Sequence, residues 1–318
     1  DCSKPLLQLS GGEPTMREDL PELIRYAKDC GIPWVQLNTN GLRLAQDADY
    51  ACTLAEAGLS FVFLQFDGVD DTVYRTLRGR PLMAEKEAAV LNAGKAGLGV
   101  TLVPTVVHGV NLDQCGAIAA WGAARSPVVR GVHYQPVSWF GRIPHFPEDS
   151  ARVTLDALLH AMCTQTDLLF SDFAPSRCDH PLCGFHGSFI AREGKLIPLT
   201  RGGENREKAE LSAKENCCFV GSRWMRSAAE PSTPCCCACK PDAAGFFSLR
   251  QTMAEAGLND MDAFLKQVDD YSFTLSSMPF QDAANIDMER LRRCSLHVWR
   301  DGHVRPFCAN YLTPLALQ

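Results

Sequence analysis

The stretch Leu7–Ile24 reads LQLSGGEPTMREDLPELI and passes from an apolar run to a helical pattern through two adjacent glycines. LQL has the composition of a buried strand. Gly11 and Gly12 end it and, lacking Cβ atoms, let the backbone approach a ligand closely. Glu13 follows at once, where a carboxylate can receive a cationic amine. The run DLPELIRYAKDC then predicts a helix. A tight turn carrying a solvated carboxylate would use the same residues, so the local pattern leaves both uses open.

Working outward, the same rhythm repeats. WVQLNTN (34–40), SFVFLQFD (60–67), GVTLVPTVV (99–107) and VRGVHYQPVS (129–138) are apolar, β-rich runs. DADYACTLAEAG (47–58), MAEKEAAVLNAGKAG (83–97) and IAAWGAAR (118–125) separate them with helical patterns. Near-continuous apolar strands alternating with helices predict a parallel sheet covered by helices. Polar residues gather directly after the strands, where the loops of a barrel carry chemistry. An open doubly wound sheet uses the same right-handed crossovers and is the competing architecture.

Past a further helix at 150–170 the rhythm ends. FIAREGKLIPL (189–199) predicts a hairpin turning at Glu193-Gly194, and CSLHVWRDGHVRPFC (294–308) a second one turning at Asp301-Gly302. Helices are expected around SLRQTMAEAG (248–257) and DAFLKQVDD (262–270). The expected division is a barrel-like part, residues 1–165, and a cysteine-rich part, residues 166–318.

The chain has 318 residues, 46% of them hydrophobic and 21% charged, enough for a large core. Its net charge of -6, with basic residues scattered, gives no reason to expect a nucleic-acid partner. No apolar run is long enough to cross a bilayer, and a cytoplasmic setting is expected. Fifteen cysteines, an odd number, argue against a disulfide framework and for metal or cluster ligation. Several are bunched, at Cys217, Cys218, Cys235, Cys236, Cys237 and Cys239. For this block a further metal site, a redox segment and a thiol-rich loop all stay open.

SGGEPT resembles the glycine-glycine-glutamate-proline motif of the radical S-adenosylmethionine (radical SAM) superfamily. More narrowly, residues 7–45, 100–111, 128–143, 171–185 and 294–311 resemble the group that includes the archaeal tetraether lipid synthases and bacterial relatives. The resemblance implies an α/β fold, a partial (β/α)6-type barrel without its first βα segment, joined to a domain holding an auxiliary iron–sulfur cluster. It implies that Gly11, Gly12 and Glu13 hold the methionyl end of S-adenosylmethionine, with Asn38 and Asn40 after the second strand. Gln65 and Asp67 would lie near the ribose or substrate. Thr105, His108 and Asn111 would line another strand exit, and Gln135 would sit beside adenine or substrate.

The family's catalytic 4Fe-4S cluster needs three cysteines ahead of this first strand, where only Cys2 stands; the triad is expected upstream of Asp1. Cys178 and Cys183, with Cys294 and Cys308, form two pairs able to converge on an auxiliary 4Fe-4S cluster, although zinc would accept the same thiolates. His180 and His297 are expected to support that site without ligating it.

The activity implied is that of an oxidoreductase or transferase. It would cleave S-adenosylmethionine reductively and take hydrogen from an unactivated C–H bond, for carbon–carbon bond formation on a lipid-like or small-molecule substrate. A cytosolic donor such as ferredoxin or flavodoxin would supply the electron, and a lipid substrate would bring the protein to the membrane periphery. The rivals are a radical SAM methylase or peptide-modifying enzyme and a non-catalytic iron–sulfur electron-transfer or scaffold protein.

Overall fold

The computed structural model describes residues 5–139, 148–176, 179–199, 224–226 and 260–312. Its first strands are β1 (Leu7–Leu9), β2 (Val35–Thr39), β3 (Phe61–Gln65), β4 (Gly99–Val103), β5 (Thr105–Val106) and β6 (Val129–Pro136). The run expected as one strand over 99–107 is two, because Pro104 has no N–H to give to a ladder. Next come β7 (Ala174–Pro175), β8 (Phe185–Arg192), β9 (Lys195–Pro198) and β10 (Ser272–Ser277).

One sheet runs in the order β1-β2-β3-β4-β6-β10-β8-β7, with β5 on β6 and β9 on β8. Pairing is parallel from β1 through β10 and antiparallel beyond it. The sheet therefore crosses the boundary expected near residue 165, since β10 pairs in parallel with β6. A separate hairpin joins β11 (His297–Arg300) to β12 (His303–Pro306). Both expected hairpin turns form at the predicted dipeptides. Glu193 and Gly194, and likewise Asp301 and Gly302, all take positive φ, as such two-residue turns require.

Among the described residues the helices are α1 (Leu20–Asp29), α2 (Leu42–Gln46), α3 (Ala48–Glu56), α4 (Asp71–Arg78), α5 (Met83–Lys95), α6 (Cys115–Ala123), α7 (Leu155–Gln165), α8 (Met261–Tyr271), α9 (Met288–Arg292) and α10 (Phe307–Asn310). The apolar sides of α1, α3, α5, α6 and α7 enter one core with alternate strand residues such as Val35, Leu37, Val62, Leu64, Val100, Val132 and Leu275. The intervening residues face the other way, so the sheet has one helix-covered face and one face that is partly polar. Helix α4 was not expected: DTVYRTLR is short and mostly polar, although its apolar residues Val73 and Tyr74 are buried together on one side. Its signals are its ends, where Asp70 accepts from the N–H groups of Thr72 and Val73 and Gly79 closes the helix at φ +78.

Candidate functional site

The carboxyl ends of β1 to β5 meet along one rim. Glu13, just after the glycine pair, is held by neighbours on two elements. Its Oε1 accepts from Thr15 N (3.1 Å), Thr15 Oγ1 (2.7 Å) and Thr39 Oγ1 (2.6 Å), and its Oε2 accepts from Asn40 N (2.7 Å). Oε2 thus keeps a free lone pair. Beside it, Cβ atoms added to Gly11 and Gly12 would meet nothing within 4 Å. This is an open backbone cradle next to an oriented carboxylate.

Asn40 serves the rim mainly through its backbone, because its own Oδ1 accepts from Leu42 N at 2.9 Å. Its carbonyl receives the ammonium of Lys86 at 2.6 Å, and the same ammonium lies 3.4 Å from Gln65 Oε1. Gln65 in turn donates to Asp67 Oδ2. The Asp67 carboxylate is completely buried and bound twice by Arg78, Nε to Oδ2 at 2.8 Å and Nη2 to Oδ1 at 3.0 Å. It also accepts from Thr105 N at 3.0 Å. Asn111 closes the chain from within the fold: it donates to the carbonyls of Asp67 and Thr105 and accepts from Val107 N.

Of the expected ligand-facing residues, the structure brings Glu13, Asn40, Gln65, Asp67, Thr105 and Asn111 into this one hydrogen-bonded series. Asp67 and Asn111 spend their side chains inside it. Asn38 accepts from Gln36 Nε2 at 2.6 Å. His108 lies exposed in the turn after β5. Gln135 pairs across the β5–β6 ladder with Thr105, and its amide makes no hydrogen bond among the described residues.

Lys86 and Arg78 escaped the sequence reading. Lys86 looks like one more polar residue of a helix, and Arg78 sits on the helix that was not foreseen. Lys86 is fully buried, and burial pushes its pKa down to about 8.

On the polar face below the rim, Phe61, Phe63 and His133 surround the ring of Trp224. His133 Nδ1 lies 2.9 Å from Ser276 Oγ, and burial lowers its pKa to about 4, so the ring is neutral near pH 7. Alternation along VRGVHYQPVS places His133 on the same face as Gln135, a signal that could have found it.

In the second half, Cys183, Cys294 and Cys308 line one cavity together with Asp179, Arg290 and Phe307. Arg290 Nε donates to Cys183 Sγ at 3.4 Å and Gln281 N to Cys308 Sγ at 3.3 Å. Burial raises the pKa of Cys294 and of Cys308. Among the described residues, however, no group of three or more His, Cys, Asp or Glu side chains is close enough to hold a metal ion. Cys178 and the block Cys217, Cys218, Cys235, Cys236, Cys237 and Cys239 lie outside the described residues. His180 is turned to the loop backbone, its Nδ1 accepting from Leu182 N at 3.2 Å. No described helix is long and apolar enough to cross a membrane.

Residues 4–122, which contain the glycine cradle and the rim, match the Radical SAM superfamily model. The chain carries a radical SAM domain. Its similarity to one curated relative runs well past that domain. It is 33% identical to the 7,8-dihydro-6-hydroxymethylpterin dimethyltransferase of Methanocaldococcus jannaschii, over 96% of this chain and 66% of that enzyme. The chain thus spans just under two thirds of the archaeal enzyme's length.

Shorter matches are to the Fe-coproporphyrin III synthase of Methanosarcina barkeri, 44% identical over 24% of this chain and 18% of that one, and to a probable GTP 3',8-cyclase of Sulfolobus acidocaldarius, 35% identical over 29% and 28%. A domain of pyruvate-formate lyase-activating enzyme from Bacteroides vulgatus superposes with a TM-score of 0.40 at 13% identity, over 51% of this chain and 95% of that one, too slight a likeness to bear on the chemistry. The family-model match over residues 4–122 supports the superfamily and an α/β fold related to its barrels; none of the comparisons lends anything to the narrower lipid-synthase resemblance.

Proposed function

We propose that this chain serves a radical SAM enzyme that forms a carbon–carbon bond by methylating a carbon of a small heterocyclic substrate. The observation that carries this reading is the 33% identity to a pterin dimethyltransferase sustained along 96% of the chain. Similarity limited to the radical SAM domain would point only to the cofactor. Similarity that continues through the second half extends to the region where a substrate-specific function is expected.

The rim suits S-adenosylmethionine. Gly11 and Gly12 leave space for its methionyl group, and Oε2 of Glu13 is free to accept from its amine. Gln135, whose amide makes no hydrogen bond among the described residues, would face adenine or substrate, and Asn38, Gln65 and Thr105 would complete the polar border. Bound and reduced by one electron, S-adenosylmethionine supplies a primary carbon radical able to take hydrogen from carbon. The residues of the chain orient the cofactor and restrict what that radical can reach.

Cys183, Cys294 and Cys308 line one cavity without standing close enough together to hold a metal ion, so the quartet they make with Cys178 remains the candidate ligand set for an auxiliary 4Fe-4S cluster that would have to draw them closer. Arg290, already donating to Cys183, would offset the negative charge that thiolates bring. A ferredoxin or flavodoxin is the electron donor of this reading.

The test is an anaerobic turnover of the full-length, iron-reconstituted protein with S-adenosylmethionine labelled in its methyl group and a reduced pterin. Formation of 5′-deoxyadenosine with label on a pterin carbon supports the proposal, the methyl coming from a second S-adenosylmethionine that leaves as S-adenosylhomocysteine once the donor supplies a second electron. Cleavage without label transfer to the pterin, but with coupling of an added hydrocarbon-chain lipid, supports the lipid-directed rival instead. Absence of any cleavage overturns both.

A further inference from the structure

We propose that Lys86 is a positioning residue for the methionyl end of S-adenosylmethionine, acting through the backbone of Asn40. The proposal rests on the assignment of Gly11, Gly12 and Glu13 to that end of the cofactor. Lys86 lies on α5, outside the rim, and reaches it from beneath. Its ammonium donates to the Asn40 carbonyl at 2.6 Å, while the N–H of the same residue donates to Glu13 Oε2 at 2.7 Å. One residue is therefore gripped from both sides, by the acid that faces the cofactor and by the buried cation. The second contact of the ammonium, Gln65 Oε1 at 3.4 Å, couples the exits of β2 and β3.

Fold stability alone does not account for this lysine. It is completely buried, and it makes no ion pair among the described residues. Asp67, Glu13, Glu85 and Arg78 are the charged groups that act on it. Asp67 is already bound by Arg78 through two hydrogen bonds and Glu13 by Thr15, Thr39 and Asn40. The remaining near group is the Tyr74 ring, whose centroid is 5.9 Å from the ammonium. A buried ammonium without a direct ion pair carries a desolvation cost that its hydrogen bonds and the more distant carboxylates offset only in part, and an apolar side chain of equal length avoids that cost. What the ammonium uniquely provides is a charge-assisted hydrogen bond that fixes where the Asn40 peptide, and with it Glu13 Oε2, points.

The approach is close enough to constrain the chain as well. Gly41, next to Asn40, has φ +80, and a Cβ there would fall 2.3 Å from Leu64 Cδ1 and 3.2 Å from Ala89 Cβ on α5. The β2 exit is thus pressed against the helix that carries Lys86.

The experiment compares wild type with Lys86→Met in the full-length protein by titration calorimetry, using two probes. S-adenosylmethionine carries the amino-acid group; 5′-methylthioadenosine lacks it. Loss of a hydrogen bond from a charged donor predicts that Lys86→Met weakens S-adenosylmethionine binding about tenfold or more. Binding of 5′-methylthioadenosine should stay unchanged, and the melting temperature should hold or rise. Equal loss of both ligands, or no loss of either, overturns the proposal. If the methionine variant fails to fold, Lys86→Gln, which keeps a neutral donor, must show the same split to a smaller degree, and equal loss of both ligands there also overturns it. If wild type binds neither probe, the cofactor assignment itself has failed, an outcome distinct from a failure of Lys86.

Discussion

Arg78 grips Asp67 through two parallel hydrogen bonds, 2.8 and 3.0 Å long, and the carboxylate it holds has no exposure to solvent. The pair joins the short helix after β3 to the start of β5, because the same carboxylate accepts from Thr105 N. Removing the cation leaves a buried, negatively charged group with only amide donors. Arg78→Met is therefore expected to destabilise the protein by about 3 kcal/mol, at the low end for a broken buried pair because the arginine keeps partial access to water. Urea unfolding measures this. Asp67→Asn, which removes the buried charge along with the ion pair, should cost less, and an equal or larger loss would contradict the account.

Gly12 separates cofactor contact from folding. Its backbone is not in the left-handed region, and an added Cβ meets nothing within 4 Å. Gly12→Val should leave stability within about 0.5 kcal/mol of wild type while abolishing detectable S-adenosylmethionine binding, since the side chain would stand where the cofactor approaches the backbone. Gly41→Ala should do the opposite: positive φ and the clash with Leu64 predict a loss of about 1–3 kcal/mol in a thermal or urea melt.

His133 gives the fold an acid-sensitive point. Its pKa falls from 6.5 to about 4 on burial. Between those values the unfolded chain binds the proton and the folded one does not, so stability rises with pH across this window. The contribution is complete above pH 6.5 and is lost as the pH falls toward 4, on the order of 3 kcal/mol in all. Urea melts at pH 4.5 and 7 should therefore differ less for His133→Gln than for wild type. An identical pH dependence in the two proteins would show that the ring does not govern it.

The shared cavity of Cys183, Cys294 and Cys308 predicts that serine at any one of them removes the same spectroscopic cluster signal and the same share of bound iron from the reconstituted full-length protein. Cys30, exposed on the opposite half of the sequence, serves as the control and should change neither. Retention of iron in all three variants would remove these thiols from any cluster.

Much of this was legible in the sequence. Apolar runs of strand length alternating with helical patterns report which faces are buried, so the βα order and the parallel strands follow from local chemistry. The Gly11-Gly12 break and the turns at Glu193-Gly194 and Asp301-Gly302 are legible for a related reason, since few residues accept the backbone geometry required there. Pairing of β10 beside β6 was not legible, because Ser272–Ser277 is a polar-rich strand far along the chain whose partner is chosen by the sheet.

The glycine pair, the acid after it and the spacing of the cysteines are thus properties of the chain read in order. The grip of Lys86 on Asn40, 46 residues away, and the placing of His133 against Ser276, 143 residues away, exist only once the sheet and its helices are assembled. The physical reason is that periodicity shows which side of an element turns inward, whereas tertiary packing alone decides which polar group it meets there.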